Sequence, residues 1–200
     1  NVNERRLSMK RVLSIQDISC IGKCSLTVAL PIISAMGIET SILPTSILST
    51  HTMFNDFTFR DLTDDMEPIK KHWQKEGFSF DAIYTGYLGS EKQITLVKDY
   101  FKTFGNTCKY IIVDPAMADN GKLYSGFDKD FPLKMAKLCK YADVILPNIS
   151  EAAFMTGMPY PGENASNECI KDLLLSLAKL GSKKIVITGV ESADHKFGFM

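Results

Sequence analysis

Short apolar runs alternate with stretches of helical periodicity along the whole chain, and that alternation constrains the fold more than any other feature. Strands are expected over residues 11–15, 40–45, 82–85, 110–113, 144–146 and 184–188. Between them, helices are expected over 26–36, 64–75, 91–104, 133–141 and 167–180. Gly37 and Gly181 stand just past two of these helices, where a left-handed residue closes the last turn. Strands with uniformly apolar centres, each separated from the next by a helix, call for a parallel sheet covered on both faces. The expected class is α/β, a three-layer α/β/α arrangement around a mostly parallel sheet.

No internal repeat, low-complexity tract or linker interrupts the pattern, so residues 9–200 read as a single domain. Residues 1–8 are polar and precede Met9-Lys10-Arg11, and they read as a leader or cloning remnant with Met9 as the natural start. The 200 residues are 45% hydrophobic, enough for a sizeable core. With 23 basic and 23 acidic side chains, the formal charge is zero. A nucleic-acid partner would want a basic face, and none is built here. No apolar run approaches the ~20 residues of a membrane span, and no signal-type segment opens the chain. A soluble, cytoplasmic protein is expected. The five cysteines, Cys20, Cys24, Cys108, Cys139 and Cys169, are odd in number and scattered. They suggest buried or partly buried free thiols, with neither a disulfide framework nor a zinc site.

In open α/β sheets, ligands sit beyond the carboxyl ends of the strands. Asp17, Asp114, Asn148 and Thr188 each fall just after an expected strand or at its last position, where they could converge. The cluster from Ile15 to Lys23 runs from a strand through polar groups and Gly22 into a helix. It lacks the Gly-x-x-x-x-Gly-Lys pattern of a phosphate loop, and an ordinary helix N-cap explains it equally well. In Ser49-Thr50-His51-Thr52-Met53-Phe54, His51 could partner a polar ligand and Met53 or Phe54 could line an apolar pocket; a structural histidine in a loop is the simpler alternative. Thr85-Gly86-Tyr87-Leu88-Gly89 flanks an aromatic with two glycines, which suits either a stacked ligand or a plain strand-to-helix turn. Asp114-Pro115 and Pro147-Asn148-Ile149-Ser150-Glu151 put carboxylates at two strand ends. Such hard oxygen donors suit Mg²⁺ carried by a nucleotide, directly or through water. Glu151 would also complement the dipole of the helix it opens without any other role.

In order and separation, Ser14-Ile15-Gln16, Ser49-x-His51-Thr52, Thr85-Gly86-Tyr87, Asp114-Pro115 and Pro147-Asn148-x-x-Glu151 resemble the pyridoxal/pyridoxamine kinase branch of the ribokinase-like superfamily. The resemblance runs from Met9 to about Gly189. It implies an enzyme that transfers the γ-phosphoryl group of ATP to the hydroxymethyl group of a B6 vitamer, in vitamin B6 salvage. It implies Asp17, His51, Thr52, Met53 and Tyr87 around the substrate ring, and Asp114, Asn148, Glu151 and Thr188 at the ATP end. Asp114 and Glu151 would serve Mg²⁺, directly or through water, and a monovalent cation is a further candidate cofactor. A homodimer is also implied.

Two departures stand out. Asp17 occupies a position where the family usually has serine, and a carboxylate there would favour a protonated pyridine nitrogen or an amine. The family's Gly-x-Gly-Asp segment, which carries the catalytic base, does not occur in these 200 residues, so the domain reads as incomplete at its C-terminus and inactive by itself. The alternatives are a hydroxymethylpyrimidine (phosphate) kinase of thiamine synthesis, with the same fold and acceptor group, and a non-catalytic ligand-binding homologue. The Ser49-x-His51-Thr52 loop and the Tyr87 segment favour B6 vitamers.

Overall fold

The structure, a computed structural model, describes residues 9–162, 165–191 and 197–200. The expected leader therefore lies outside the described residues. The fold is α/β, with a mostly parallel central sheet and helices on both sides. The chain divides into two compact units, Asn1–Ile111 and Ile112–Met200, and each is taken by itself.

In the first unit the strands are β1 (Arg11–Ser19), β2 (Glu39–Leu48), β3 (Phe59–Asp61) and β4 (Ala82–Thr85), and they lie in the order β3-β2-β1-β4. β1 runs parallel to both β2 and β4, while β3 returns antiparallel along β2. β1 and β2 both reach further than their apolar cores suggest. Gln16 pairs with Pro44 and Ile18 with Ile47, so β2 carries one extra residue between the two pairs. Pro44 brings no N–H to the ladder, and the bulge beyond it lets pairing resume as far as Ser19 and Leu48. The helices are α1 (Leu26–Ala35), α2 (Thr63–Lys75) and α3 (Glu91–Phe104). Tyr100 is fully buried and donates its hydroxyl to the Met66 carbonyl across the α2–α3 interface. Trp73 meets Phe80 and Tyr100 edge-on, at centroid distances of 5.7 and 6.3 Å, and Phe80 meets Phe104 at 5.2 Å. These aromatic pairs knit α2 and α3 together.

In the second unit, β5 (Tyr110–Val113), β8 (Val144–Ile145) and β9 (Lys184–Ile185) form a parallel set in that order. Two antiparallel ribbons, absent from the sequence reading, accompany them: β6 (Ala118–Asp119) with β7 (Lys122–Leu123), and β10 (Thr188–Glu191) with β11 (Phe197–Phe199). The turn of the first ribbon is Asn120-Gly121, with φ of 48° and 70°. Both values are positive, as a tight hairpin turn requires, and an Asn-Gly pair tolerates them best. The unit's helices are α4 (Phe131–Cys139), α5 (Ile149–Thr156) and α6 (Asn167–Ala178). α4 starts earlier than its periodicity implies, because Asp128 accepts hydrogen bonds from the Asp130 and Phe131 N–H groups and Pro132 sits in the first turn, where its missing N–H costs nothing. None of the five cysteines forms a disulfide, and Cys20 and Cys169 are exposed rather than buried.

Candidate functional site

The first unit holds Asp17, His51, Thr52, Met53 and Tyr87. Asp17 lies inside β1, one step beyond the pair Gln16–Pro44, and not after the strand as expected. It is only 5% exposed. The Ser19 hydroxyl donates to its Oδ2 at 3.2 Å, and Ser25 reaches it from the turn ahead of α1. Burial pushes its carboxyl above the usual aspartate range, against the lowering effect of those two hydroxyls and its own backbone N–H. The loop from β1 to α1 therefore does more than cap a helix. Ser25 caps nothing with its side chain; its backbone instead bridges back to Ile18. The loop curls tightly, with positive φ at Gly22, Lys23 and Ser25.

His51 closes over that loop. Its N–H donates to the Ile21 carbonyl at 3.2 Å, and a Cβ on Gly22 would meet the imidazole at 2.0 Å. Only glycine leaves room there, and the φ of +125° also demands it. The ring stands 4.9 Å from Phe54, and its Nδ1 accepts from the Met53 N–H at 3.3 Å. Thr52 is exposed, and Met53, at 88% exposure, stands in solvent. The loop hangs between β2 and β3, closed at its root by hydrogen bonds between Ser49 and Thr58. Tyr87 follows β4 and is half-buried. Burial pushes its phenol pKa up, and the negative charges of Asp17 and Asp61 push the same way.

The second unit holds Asp114, Asn148, Glu151 and Thr188. Asn148 and Glu151 form a reciprocal cap on α5: Asn148 Oδ1 accepts from the Glu151 N–H at 2.9 Å, and Glu151 Oε2 accepts from the Asn148 N–H at 2.7 Å. The same pair reaches the turn after β5. Glu151 Oε1 accepts from the Met117 N–H at 3.1 Å, and Asn148 Nδ2 donates to the Ala118 carbonyl at 2.7 Å. Glu151 is 2% exposed. Burial first and the Asp114 charge second raise its carboxyl well above the usual glutamate range, against three backbone N–H groups. Thr188 opens β10 instead of ending the preceding strand; it bridges Asn148 in parallel and donates its N–H to the Pro147 carbonyl at 2.9 Å. Asp114, half-buried at the end of β5, is thus grouped with Glu151 by charge, and Thr188 with Asn148 by backbone pairing.

The profile of the phosphomethylpyrimidine kinase family matches residues 39–197. The chain belongs to this family. A phosphomethylpyrimidine kinase-type protein of Bacteroides thetaiotaomicron, in a crystal form with pyridoxal, is 41% identical, with a TM-score of 0.88 over 94% of this chain and 65% of that one. The pyridoxal kinase of Lactobacillus plantarum is 35% identical, with a TM-score of 0.86 over 96% of this chain and 68% of that one. The pyridoxal kinase of Actinobacillus pleuropneumoniae is 27% identical over 90% of this chain and 63% of its own length. The chain spans 54% of one curated relative and 63% of another.

Within this family member, several site-side groups were not apparent from sequence. Thr85 and Ser46 are fully buried, and neither hydroxyl has a hydrogen-bond partner among the described residues. Gln93, on α3, is buried beneath the Tyr87 turn. Ser150 accepts the Gly121 N–H at 2.8 Å and so fixes the β6–β7 turn. Asn120-Gly121 was a readable signal for that turn; Thr85 stands in the Thr85-Gly86-Tyr87 segment without a role of its own, and nothing local marks Ser46 or Gln93. No group of three or more His, Cys, Asp or Glu able to hold a metal by itself occurs among the described residues, and no described helix is long and apolar enough to cross a membrane.

Proposed function

We propose that this chain provides the ring-binding and nucleotide-binding parts of a kinase that phosphorylates the hydroxymethyl group of a B6 vitamer with ATP. The carrying observation is the buried Asp17 carboxylate, answered among the described residues only by the Ser19 and Ser25 hydroxyls and its own backbone N–H, whose charge is felt at the Tyr87 phenol. A buried carboxylate costs free energy unless a cationic or strongly donating partner answers it, and a protonated pyridine nitrogen or an amine is such a partner. The likeness to a protein crystallised with pyridoxal supports the same reading. Asp17, Tyr87, His51 and Thr52 would hold the ring, while Met53, in solvent here, would reach it only by movement of its loop. Asp114, Asn148 and Thr188 would meet the nucleotide.

Mg²⁺ fits the donor set in one respect. Burial first and the Asp114 charge second raise the Glu151 carboxyl, and a divalent ion near Asp114, reached directly or through water, would offset that second contribution. When bound, Mg²⁺ would neutralise phosphate charge. Phosphoryl transfer depends mostly on positioning and charge stabilisation, which is the work left to these residues. The resemblance assigns the proton acceptor to a Gly-x-Gly-Asp segment that these 200 residues do not contain. It also supports a cytoplasmic homodimer.

The family's own description favours a second reading, a kinase acting on hydroxymethylpyrimidine or its phosphate. The product of the complete gene, given Mg-ATP with pyridoxal, pyridoxamine, pyridoxine and hydroxymethylpyrimidine in turn, separates the two. Turnover of a vitamer above the pyrimidine is expected; turnover of the pyrimidine alone would move the protein to thiamine synthesis. Ligand binding without any turnover would leave a non-catalytic homologue.

A further inference from the structure

We propose that Gln93 is a positioning residue that clamps the two substrate-side segments of the first unit, the Tyr87 turn and the hairpin bearing His51 and Thr52, into one register. The proposal rests on the ring-binding role given above to those residues.

The Gln93 side chain is 1% exposed, yet it sits in a helix whose neighbouring turns are amphipathic, where an apolar residue would ordinarily serve. Its Oε1 accepts the Gly89 N–H at 2.8 Å, in the turn that follows Tyr87. Its Nε2 donates to the Thr45 carbonyl at 3.0 Å, on β2, and to the Thr63 hydroxyl at 2.9 Å, at the start of α2. Asp61 Oδ1, on β3, lies 3.2 Å from the same nitrogen. Two of these partners fix the amide orientation. A backbone N–H can only donate and a backbone carbonyl can only accept, so the oxygen must face Gly89 and the nitrogen Thr45.

Thr45 extends the clamp. Its hydroxyl donates to the Tyr87 carbonyl at 3.2 Å. One buried amide thus ties together the strand entering the His51 loop, the strand leaving it, and the turn that presents Tyr87. Asp61 is doubly placed, because it accepts from Thr63 and its charge is also felt at the Tyr87 phenol. Neither leucine nor glutamate can substitute. Leucine takes the acceptor from the part-buried Gly89 N–H and leaves the Thr45 carbonyl only the Leu62 N–H, while glutamate turns a carboxylate toward that carbonyl and toward Asp61. Misplacing a binding group by about 1 Å is enough to cost on the order of 10²-fold in rate, so a loosened clamp should be read in substrate affinity.

The test compares the complete protein with Gln93→Leu and Gln93→Glu, using Ile94→Val as a control at the neighbouring buried position of the same helix. Backbone hydrogen exchange is measured throughout, together with KM for the vitamer and for ATP. The expected result is faster exchange at Gly89 and across residues 49–58 in both Gln93 variants, with a vitamer KM raised roughly 10-fold or more and an ATP KM within about twofold of wild type. The Ile94→Val protein should show neither local change, even at a comparable loss of thermal stability. Exchange that rises uniformly through the unit, or equally in the control, would reduce Gln93 to an ordinary core residue and overturn the proposal, as would an unchanged vitamer KM. Should Gln93→Leu fail to fold, Thr45→Val cuts the clamp at the Tyr87 carbonyl alone and is read in the same way. Absence of turnover in the wild-type protein would count against the kinase reading, and the exchange comparison would then decide the clamp by itself.

Discussion

The two units solve the problem of a buried carboxylate in opposite ways. In the second, Glu151 is answered almost entirely by backbone N–H groups, from Asn148, Met117 and Ala118, so its hydrogen-bonding capacity is committed to the scaffold. In the first, Asp17 is answered by the hydroxyls of Ser19 and Ser25, and two further buried hydroxyls, Ser46 and Thr85, have no partner among the described residues. Backbone donors are fixed by the fold, whereas hydroxyls rotate. The second unit, proposed to meet the phosphates, thus commits its buried carboxylate to the scaffold, and the first, proposed to hold the ring, keeps rotatable hydroxyls that a ligand could engage.

The largest effect should come from breaking the cap of the second unit. Glu151→Ala leaves the Met117 and Asn148 N–H groups buried and unanswered, and it is expected to cost about 2–4 kcal/mol in denaturant unfolding. A loss below about 1 kcal/mol would mean that the cap is ornamental. Next comes the crowded point of the ring side. Gly22→Ala forces a side chain into the His51 ring and into an unfavourable φ, for a loss of about 2 kcal/mol. If instead only vitamer affinity falls and stability holds, His51 swings aside freely and the loop is softer than its geometry implies.

The third expectation concerns pH. The Asp17 carboxyl titrates above its usual range in the folded protein. From the ordinary aspartate value of about 4 up to the raised one, the folded state retains a proton that the unfolded chain has released. Stability contributed by this group therefore falls as pH rises through that window. Urea midpoints taken between pH 4 and 7 should decline less steeply in Asp17→Ser than in wild type, and parallel slopes would show that the carboxylate is already well solvated. The same substitution should shift the relative rates for pyridoxal, pyridoxamine and pyridoxine. The smallest effect is expected at Thr85. Replacing an unpartnered buried hydroxyl by a methyl group in Thr85→Val should leave the ligand-free protein unchanged or more stable by up to about 1 kcal/mol. A clear loss would reveal a partner for that hydroxyl.

Much of this architecture was legible in advance because it depends on local pattern. The runs 82–85 and 110–113 are strands for the reason that made them readable, apolar side chains flanked by turn residues. The position of Asp17 was not legible. A polar pair ending an apolar run reads as a strand terminus, and only the bulge opposite it, set by Pro44 on another strand, keeps pairing alive to Ser19. β3 was missed because Phe59-Arg60-Asp61 has no periodicity of its own and is a strand only through β2. Among the site residues, Asn148 and Glu151 were legible from their place between a strand end and the opening of a helix, although the reciprocal cap they form appears only in the structure. Gln93 could not, since its partners are distributed over residues 45 to 89 and no local signal records them.

The placement of the single tryptophan has an experimental consequence. Trp73 lies in the first unit, edge-on to Phe80 and Tyr100. Intrinsic emission excited at the red edge is therefore an optical window on the first unit alone, silent about the cap at Asn148 and Glu151. Paired with calorimetry, which registers the heat of the whole chain, that one indole turns any difference in the melting of the two units into a gap between two curves.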